Sequence, residues 1–291
     1  MNTLTLNKPT PNKPTLEATP VAGALGAEIS SVDLSQDLNK ETFDAIHQAL
    51  LDHCVIFFRG QHISPEQQLS FAKRFGGIHF HPYMQGLPEH PEIFEILKTE
   101  TDPHNFGGVW HVDQMFTPKP NMATILYAKE VPAAGGDTLF ANMYMAYEAL
   151  SETMQAMLSG LKVVCVGDRP GKKSRKERYK DLTGVKLAEE DAGQRNSTHP
   201  LIRTHPETGR KSLFIGSHVE SIAGMTNAES EPILSYLRAH AVRPEFTCRF
   251  HWDDGALAMW DNRCTQHNAV DDYAGQRRRM HRITVAGDKP F

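Results

Sequence analysis

The sequence predicts an antiparallel β sandwich or barrel with helices packed on its outside. Three observations carry this. Short β-leaning runs at 123–127, 161–166, 212–215, 246–252, 256–260 and 280–285 are scattered along the chain and bounded by turn signals. They do not alternate regularly with helices, as the strands of a parallel doubly wound sheet would. The chain has 291 residues, 40% of them apolar and 23% charged, which suits one large soluble β domain.

Taken in order, residues 1–18 are rich in Pro, Thr, Asn and Lys and cannot bury enough apolar surface to offset their ordering entropy. A mobile arm is expected there, and a single domain over 19–291. Asn39 opens a helix that runs to about His53 with Phe43, Ile46, Leu50 and Leu51 on its apolar positions, and 54–58 follows as a short buried strand. Ser64, Pro65 and Gln67 stand as N-cap, N1 and N3 of a helix that reaches about Phe75 and stops at Gly76-Gly77. The spacing of Tyr147, Leu150, Met154 and Leu158 predicts one helix over 144–159. Thr226 with Glu229 forms a second capping box, for a helix to about Ala241. The polar stretch 167–200 carries six Lys and Arg side chains between 172 and 180. It reads as a solvated excursion, or as a mobile lid, because long loops in compact domains often serve as lids.

Composition narrows the function. The formal charge is −4, whereas nucleic-acid binders carry a basic excess, so no nucleic-acid partner is expected. No apolar run approaches the roughly 18 residues of a membrane span, and the first 20 residues lack a secretory h-region, so no membrane partner is expected either. Cys54, Cys165, Cys248 and Cys264 form no CxxC pair and read as free thiols of a cytoplasmic protein. A homo-oligomer is expected.

Three segments carry chemistry. In Trp110-His111-Val112-Asp113 the spacing i, i+2 on a strand puts an imidazole and a carboxylate on one face. Taken alone this is as well explained by an ordinary hydrogen-bonded pair. Far downstream, the apolar run 256–260 leads into a polar turn that delivers His267. If His267 meets His111 and Asp113, two histidines and one carboxylate form the facial triad of non-haem Fe(II) oxygenases, with three positions open. Finally, a strand through 278–285 places Arg278, Met280, Arg282 and Thr284 on one face. Two arginines facing a core need anions, and a guanidinium is a fork matched to carboxylate or sulfonate oxygens. A basic surface strand is the alternative.

These elements, in this order, resemble the taurine dioxygenase (TauD/TfdA) family of Fe(II)- and 2-oxoglutarate-dependent dioxygenases. The matching stretches are FRGQHISPEQQLSFAKRFG, IHFHPY, WHVDQMF, GGDTLFANMYMAYEALS, HPLIRTHPETGRKSLF, MWDNRCTQHNAVDDY and QRRRMHRITVAGDKPF, and they span most of the chain. The resemblance implies a mainly β fold with flanking helices and a double-stranded β-helix (jelly roll) core. It implies Fe(II) on His111, Asp113 and His267, with 2-oxoglutarate and O2 as co-substrates. It implies that Arg278 and Thr138 hold the distal carboxylate of 2-oxoglutarate. It places Arg282, His81 and the Val112 backbone at a small anionic organic substrate, with Tyr83 in the pocket wall. One departure concerns 213–218: LFIGSH stands where taurine-using members have LFVN and an aromatic, and it is more similar to the aryloxyacetate-degrading branch, which adds His218 to the wall. The segment Asn105-Phe106-Gly107-Gly108-Val109 also differs from the taurine enzymes, which carry polar asparagines there. Taurine or a related sulfonate is the expected substrate, with an aryloxyacetate, an alkyl sulfate ester or a phosphonate as alternatives. A zinc hydrolase or isomerase, or a non-catalytic small-acid binder on the same barrel, would leave the Arg278/Thr138 anion site or the triad without a use.

Overall fold

The computed structural model describes residues 16–168, 177, 179–184, 186–187 and 196–291. Along the chain, β1 (Glu17–Pro20) and β2 (Ala27–Ser30) precede α1 (Lys40–His53), β3 (Val55–Phe58) and α2 (Pro65–Lys73). Next come β4 (Phe94–Lys98), β5 (Ala123–Glu130), β6 (Thr138–Asn142), α3 (Met143–Glu148) and α4 (Glu152–Leu158). Five short strands follow: β7 (Lys162–Val166), β8 (Asn196–Pro200), β9 (Ile202–Thr204), β10 (Lys211–Leu213) and β11 (Val219–Ile222). The chain closes with α5 (Asn227–Ala241), β12 (Thr247–Phe250), β13 (Leu257–Asp261), β14 (Thr265–Ala269) and β15 (Arg278–Val285).

A seven-stranded sheet in the order β1-β2-β3-β13-β5-β15-β4 faces a three-stranded sheet in the order β12-β6-β14. Every pair in these two sheets is antiparallel except β2 with β3. This is the jelly-roll architecture, and the alternation of side chains along each strand builds it. Phe57, Leu126, Ala258 and Met280 point inward and meet Phe140, Phe250 and Trp260 between the sheets. There Phe57 stacks on Phe250 at 3.9 Å between ring centroids. Their neighbours Ile56, Ile125, Met259 and Ile283 point outward, beneath Ile46 and Leu50 of α1 and Leu69 and Phe71 of α2.

The caps that the sequence signals are formed. Asn39 Oδ1 accepts from Thr42 N, and both capping boxes, Ser64 with Gln67 and Thr226 with Glu229, are closed. The single helix expected over 144–159 is two. Ser151 has extended backbone and its hydroxyl accepts from Met154 N, so it starts α4 afresh rather than continuing α3. The arm expected over 1–18 ends earlier, because Glu17 and Ala18 pair with Ser30 and Ile29 in the β1–β2 ladder. Residues 1–15 lie outside the described residues. The stretch 167–200 also ends earlier, since Asn196–Pro200 is a strand paired with β7. Much of the remainder lies outside the described residues; of what is described, Lys180, Asp181, Thr183 and Lys186 are exposed and a few apolar side chains pack inward. Tyr179 and Leu182 cluster with Met84, Phe94 and Phe106, and Leu97 bridges Gly184.

Candidate active site

The site lies between the two sheets. His267 sits at the centre of β14, opposite Phe140 of β6. His111 lies across from it in an isolated antiparallel bridge, each residue's N–H donating to the other's carbonyl at 3.0 Å. Facing residues of an antiparallel pair carry their side chains on one side, and the two imidazole centroids are 4.1 Å apart. The strand reading of 110–113 therefore holds for one rung only. Beyond it the chain turns, with Gln114 at φ 49°, and this turn brings Asp113 beneath the two rings. Asp113 Oδ1 is 3.5 Å from His111 Nε2 and 3.8 Å from His267 Nε2.

The surroundings aim the donor atoms. His111 Nδ1 donates to Val109 O at 2.6 Å, which leaves the Nε2 lone pair to face inward. Thr124 Oγ1 donates to Asp113 Oδ2 at 2.7 Å. That hydroxyl has one proton to give, and its oxygen is fixed by Asn121 Nδ2 at 3.1 Å and Asn262 Nδ2 at 3.0 Å. Arg282 Nη2 lies 2.7 Å from the same Oδ2, a close charge contact rather than an aligned hydrogen bond. Oδ1 is thus the oxygen turned toward the imidazoles. Burial works against the charged form of Asp113, but the Arg282 guanidinium and the imidazoles outweigh it and hold the acid well below the usual carboxylate range. Burial, with His111 beside it, pushes His267 well below the usual imidazole range. An ionised carboxylate and two imidazoles, all with donor atoms within 4.8 Å of one another, fit a first-row divalent metal.

Two cavities meet at this cluster. One is walled by strand residues, among them Ile96, Leu126, Thr138, Trp260 and Arg278. Arg278 is 5% exposed, and its Nε and Nη2 have no hydrogen-bond partner among the described residues. Unpaired buried guanidinium donors are costly, so this end of the cavity is suited to an anion. Trp252 Nε1 donates to Thr138 Oγ1 at 3.0 Å, leaving the threonine proton for an acceptor in the cavity. The Trp252 ring also lies 5.6 Å from the Arg278 guanidinium. The turn before Thr138 needs its glycines. Gly135 and Gly136 have φ 83° and 70°, and a Cβ on Gly136 would stand 3.2 Å from Arg278 Cδ.

The other cavity is lined by loop residues, including His81, Phe106, Gln114, Phe116, Tyr179 and His218, and Arg282 and His111 border both. Tyr83 N donates to His81 Nδ1 at 3.1 Å, so the ring proton sits on Nε2. His218 meets the Phe116 ring edge-on at 4.9 Å. Tyr83, named from the sequence for the wall, does not line either cavity. Val112 is named for its backbone, and its side chain is 1% exposed and packs in the core cluster of the α3 and α5 side. Tyr83 lies one layer back, its ring 5.7 Å from Phe116. The residues that sequence reasoning missed are Thr124, Trp252, Gln114, Phe106 and Tyr179. Only Gln114 had a local signal, its place directly after a candidate ligand.

Two imidazoles and a carboxylate at the seam of a jelly roll, beside an unpaired buried arginine, define the site of a mononuclear metal oxygenase. The model of the taurine catabolism dioxygenase TauD, TfdA family matches residues 17–284, and the chain belongs to that family. It is 37% identical over 283 residues to the alpha-ketoglutarate-dependent sulfate ester dioxygenase of Pseudomonas putida, covering 94% of this chain and 91% of that relative. A crystal structure of a taurine dioxygenase from Burkholderia xenovorans superposes with a TM-score of 0.80 at 34% identity, covering 95% and 91% of the two chains. The structure of AAD-2 in complex with Mn(II) and N-oxalylglycine superposes with a TM-score of 0.74 at 29% identity, covering 95% and 99%. The chain is thus a 2-oxoglutarate-dependent dioxygenase that uses Fe(II) and O2.

Proposed function

We propose that the chain hydroxylates a small anionic organic molecule with an apolar tail, a sulfonate or a sulfate ester, held in the loop-lined cavity beside His111, Asp113 and His267. The observation that carries this is the pair of cavities meeting at the candidate metal cluster, with buried Arg278 lining one and buried Arg282 lining both. A single 2-oxoglutarate on Arg278 leaves the second cavity and Arg282 for another anion. With Fe(II) bound, 2-oxoglutarate and O2 become succinate and CO2, and the second oxygen atom enters the substrate as a hydroxyl.

The protein's own groups position and exclude. Arg278 and the Thr138 hydroxyl hold the distal carboxylate of 2-oxoglutarate, at the end of the cavity where their donors are unpaired. Thr124 and Val109 fix the ligand atoms before any metal arrives. Arg282 and the His81 Nε2 proton face the substrate's charged end, and the rings of Phe106, Phe116 and Tyr179 flank its tail. A site built around a buried charge rejects neutral isosteres, because its arginine is then left unpaired. Hydroxylation at the carbon bearing a sulfonate or sulfate-ester group gives a product that breaks its C–S or C–O bond, which suits sulfur scavenging. The buried free thiols of Cys54, Cys165, Cys248 and Cys264 support a reducing, cytoplasmic setting.

The test is substrate-dependent succinate formation across taurine, hexanesulfonate, hexyl sulfate, phenoxyacetate, hexylphosphonate and the neutral hexanesulfonamide. Turnover of a sulfonate or sulfate with none of the sulfonamide is expected. Equal turnover of the sulfonamide and its anionic parent would overturn the reading.

A further inference from the structure

Gln114 stands directly after the metal ligand Asp113 and has a left-handed backbone, which a non-glycine residue keeps only where its surroundings fix it. Its carbonyl accepts from both Thr117 N at 2.9 Å and Thr117 Oγ1 at 3.0 Å. Its side chain is 3% exposed and is held at one end only. Oε1 accepts from His79 Nε2 at 2.6 Å. His79 is in turn clamped to β15, its N donating to Thr284 O and its O accepting from Thr284 Oγ1. The other end of the amide, Nε2, is buried with no hydrogen-bond partner among the described residues, and Gln114 lines the loop-walled cavity with Arg282 and His81. A buried amide donor without an acceptor is uncommon and costly, so its position calls for an oxygen supplied by a ligand.

The donors that line this cavity include the Arg282 guanidinium, the His81 ring and the Gln114 amide, beside the hydroxyls of Tyr179 and Ser217 and the His218 ring. A carboxylate offers two oxygens and a sulfonate or sulfate ester offers three. We propose that Gln114 Nε2 donates to the third oxygen of a tetrahedral headgroup, and so makes this enzyme select sulfonates and sulfate esters over carboxylates of equal length. This inference rests on the reading that the cavity holds an anionic substrate.

The test compares hexanesulfonate with heptanoate, which share a six-carbon tail, in the wild type and in Gln114→Met, which keeps length and removes the amide. The ratio of the two kcat/KM values is expected to fall by roughly 10- to 100-fold in the variant, the worth of one hydrogen bond to a charged group. Thermal protection of the metal-free protein by hexanesulfonate is expected to weaken in parallel, which reads binding without turnover. Gln114→Asn, which withdraws the donor by one methylene, is expected to shift the ratio the same way and serves if the Met variant does not fold. An unchanged ratio in a folded variant, with the wild type still preferring hexanesulfonate to hexanesulfonamide, would overturn the role of Gln114 alone. A wild type that turns over hexanesulfonamide equally well would overturn the anionic-substrate reading first.

Discussion

Replacing Asp261 by Asn tests how the turn that leads to His267 is held. Asp261 and Arg263 are 1% and 3% exposed. Asp261 Oδ1 accepts from Arg263 N at 2.8 Å and Nε at 2.9 Å, and Oδ2 accepts from Arg263 Nη2 at 2.6 Å and His205 Nε2 at 3.0 Å. His205 Nδ1 accepts from Glu207 N and Thr208 N, so its proton is committed to Asp261. An asparagine would set its NH2 against one of these donors and remove the charge opposite Arg263. Breaking one side of a buried ion pair costs about 3–5 kcal/mol. At about 2 °C per kcal/mol for a chain of this size, the melting temperature should fall by about 6–10 °C. Burial raises the acid's pKa, but Arg263 and then His205 more than reverse this, so it lies below the ordinary carboxyl value when folded. Stabilisation from the pair is therefore complete above the unfolded value of about 3.9 and is lost as pH falls below it. Calorimetry from pH 7 down to about pH 3 should show the gap between wild type and Asp261→Asn narrowing at the acid end. A variant melting within about 2 °C of wild type at pH 7 would show that the network does not hold the turn.

Other substitutions address the site directly. His111→Ala, Asp113→Ala and His267→Ala should each abolish Fe(II)-dependent succinate formation with native circular dichroism, and wild-type turnover in any one removes that residue from the ligand set. Arg278→Met should raise the 2-oxoglutarate requirement roughly 10- to 100-fold, while Thr138→Val should raise it about tenfold with recovery in Thr138→Ser. An unchanged requirement would place the co-substrate elsewhere. Arg282→Leu should weaken the prime substrate and also Fe(II) affinity, because Arg282 touches Asp113 as well as the cavity. Calorimetric titration separates the two effects, and unchanged values for both would refute this dual role.

The candidate metal cluster was legible because His111, Asp113 and His267 sit in short motifs and the structure brings them together, and the capped helices because Ser64 and Thr226 announce themselves chemically. The break between α3 and α4 was hidden because Tyr147, Leu150, Met154 and Leu158 keep helical spacing across it. β14 was hidden because Thr265, Gln266, His267 and Asn268 read as a polar turn, although Thr265, Gln266 and His267 are buried. The contact of Arg282 with Asp113 joins residues far apart in sequence, and no local pattern reports it.

The two cavities differ in what they are made of. The one ending at Arg278 is walled mainly by side chains from β4, β5, β6, β13, β14 and β15, with Phe106 and Gly107 shared with the other, so altering its Arg278 end means altering the barrel itself. The other draws on connecting segments near 81, 106–109, 114–116, 179 and 217–218, which meet the barrel at the rung between His111 and His267, where Ala269 N donates to Gly107 O, and where His79 is bonded to β15. Connecting segments accept insertions and exchanges that a closed sheet does not. A lineage built on this plan can therefore diversify its diet by trading loops, while the oxidising half is inherited intact.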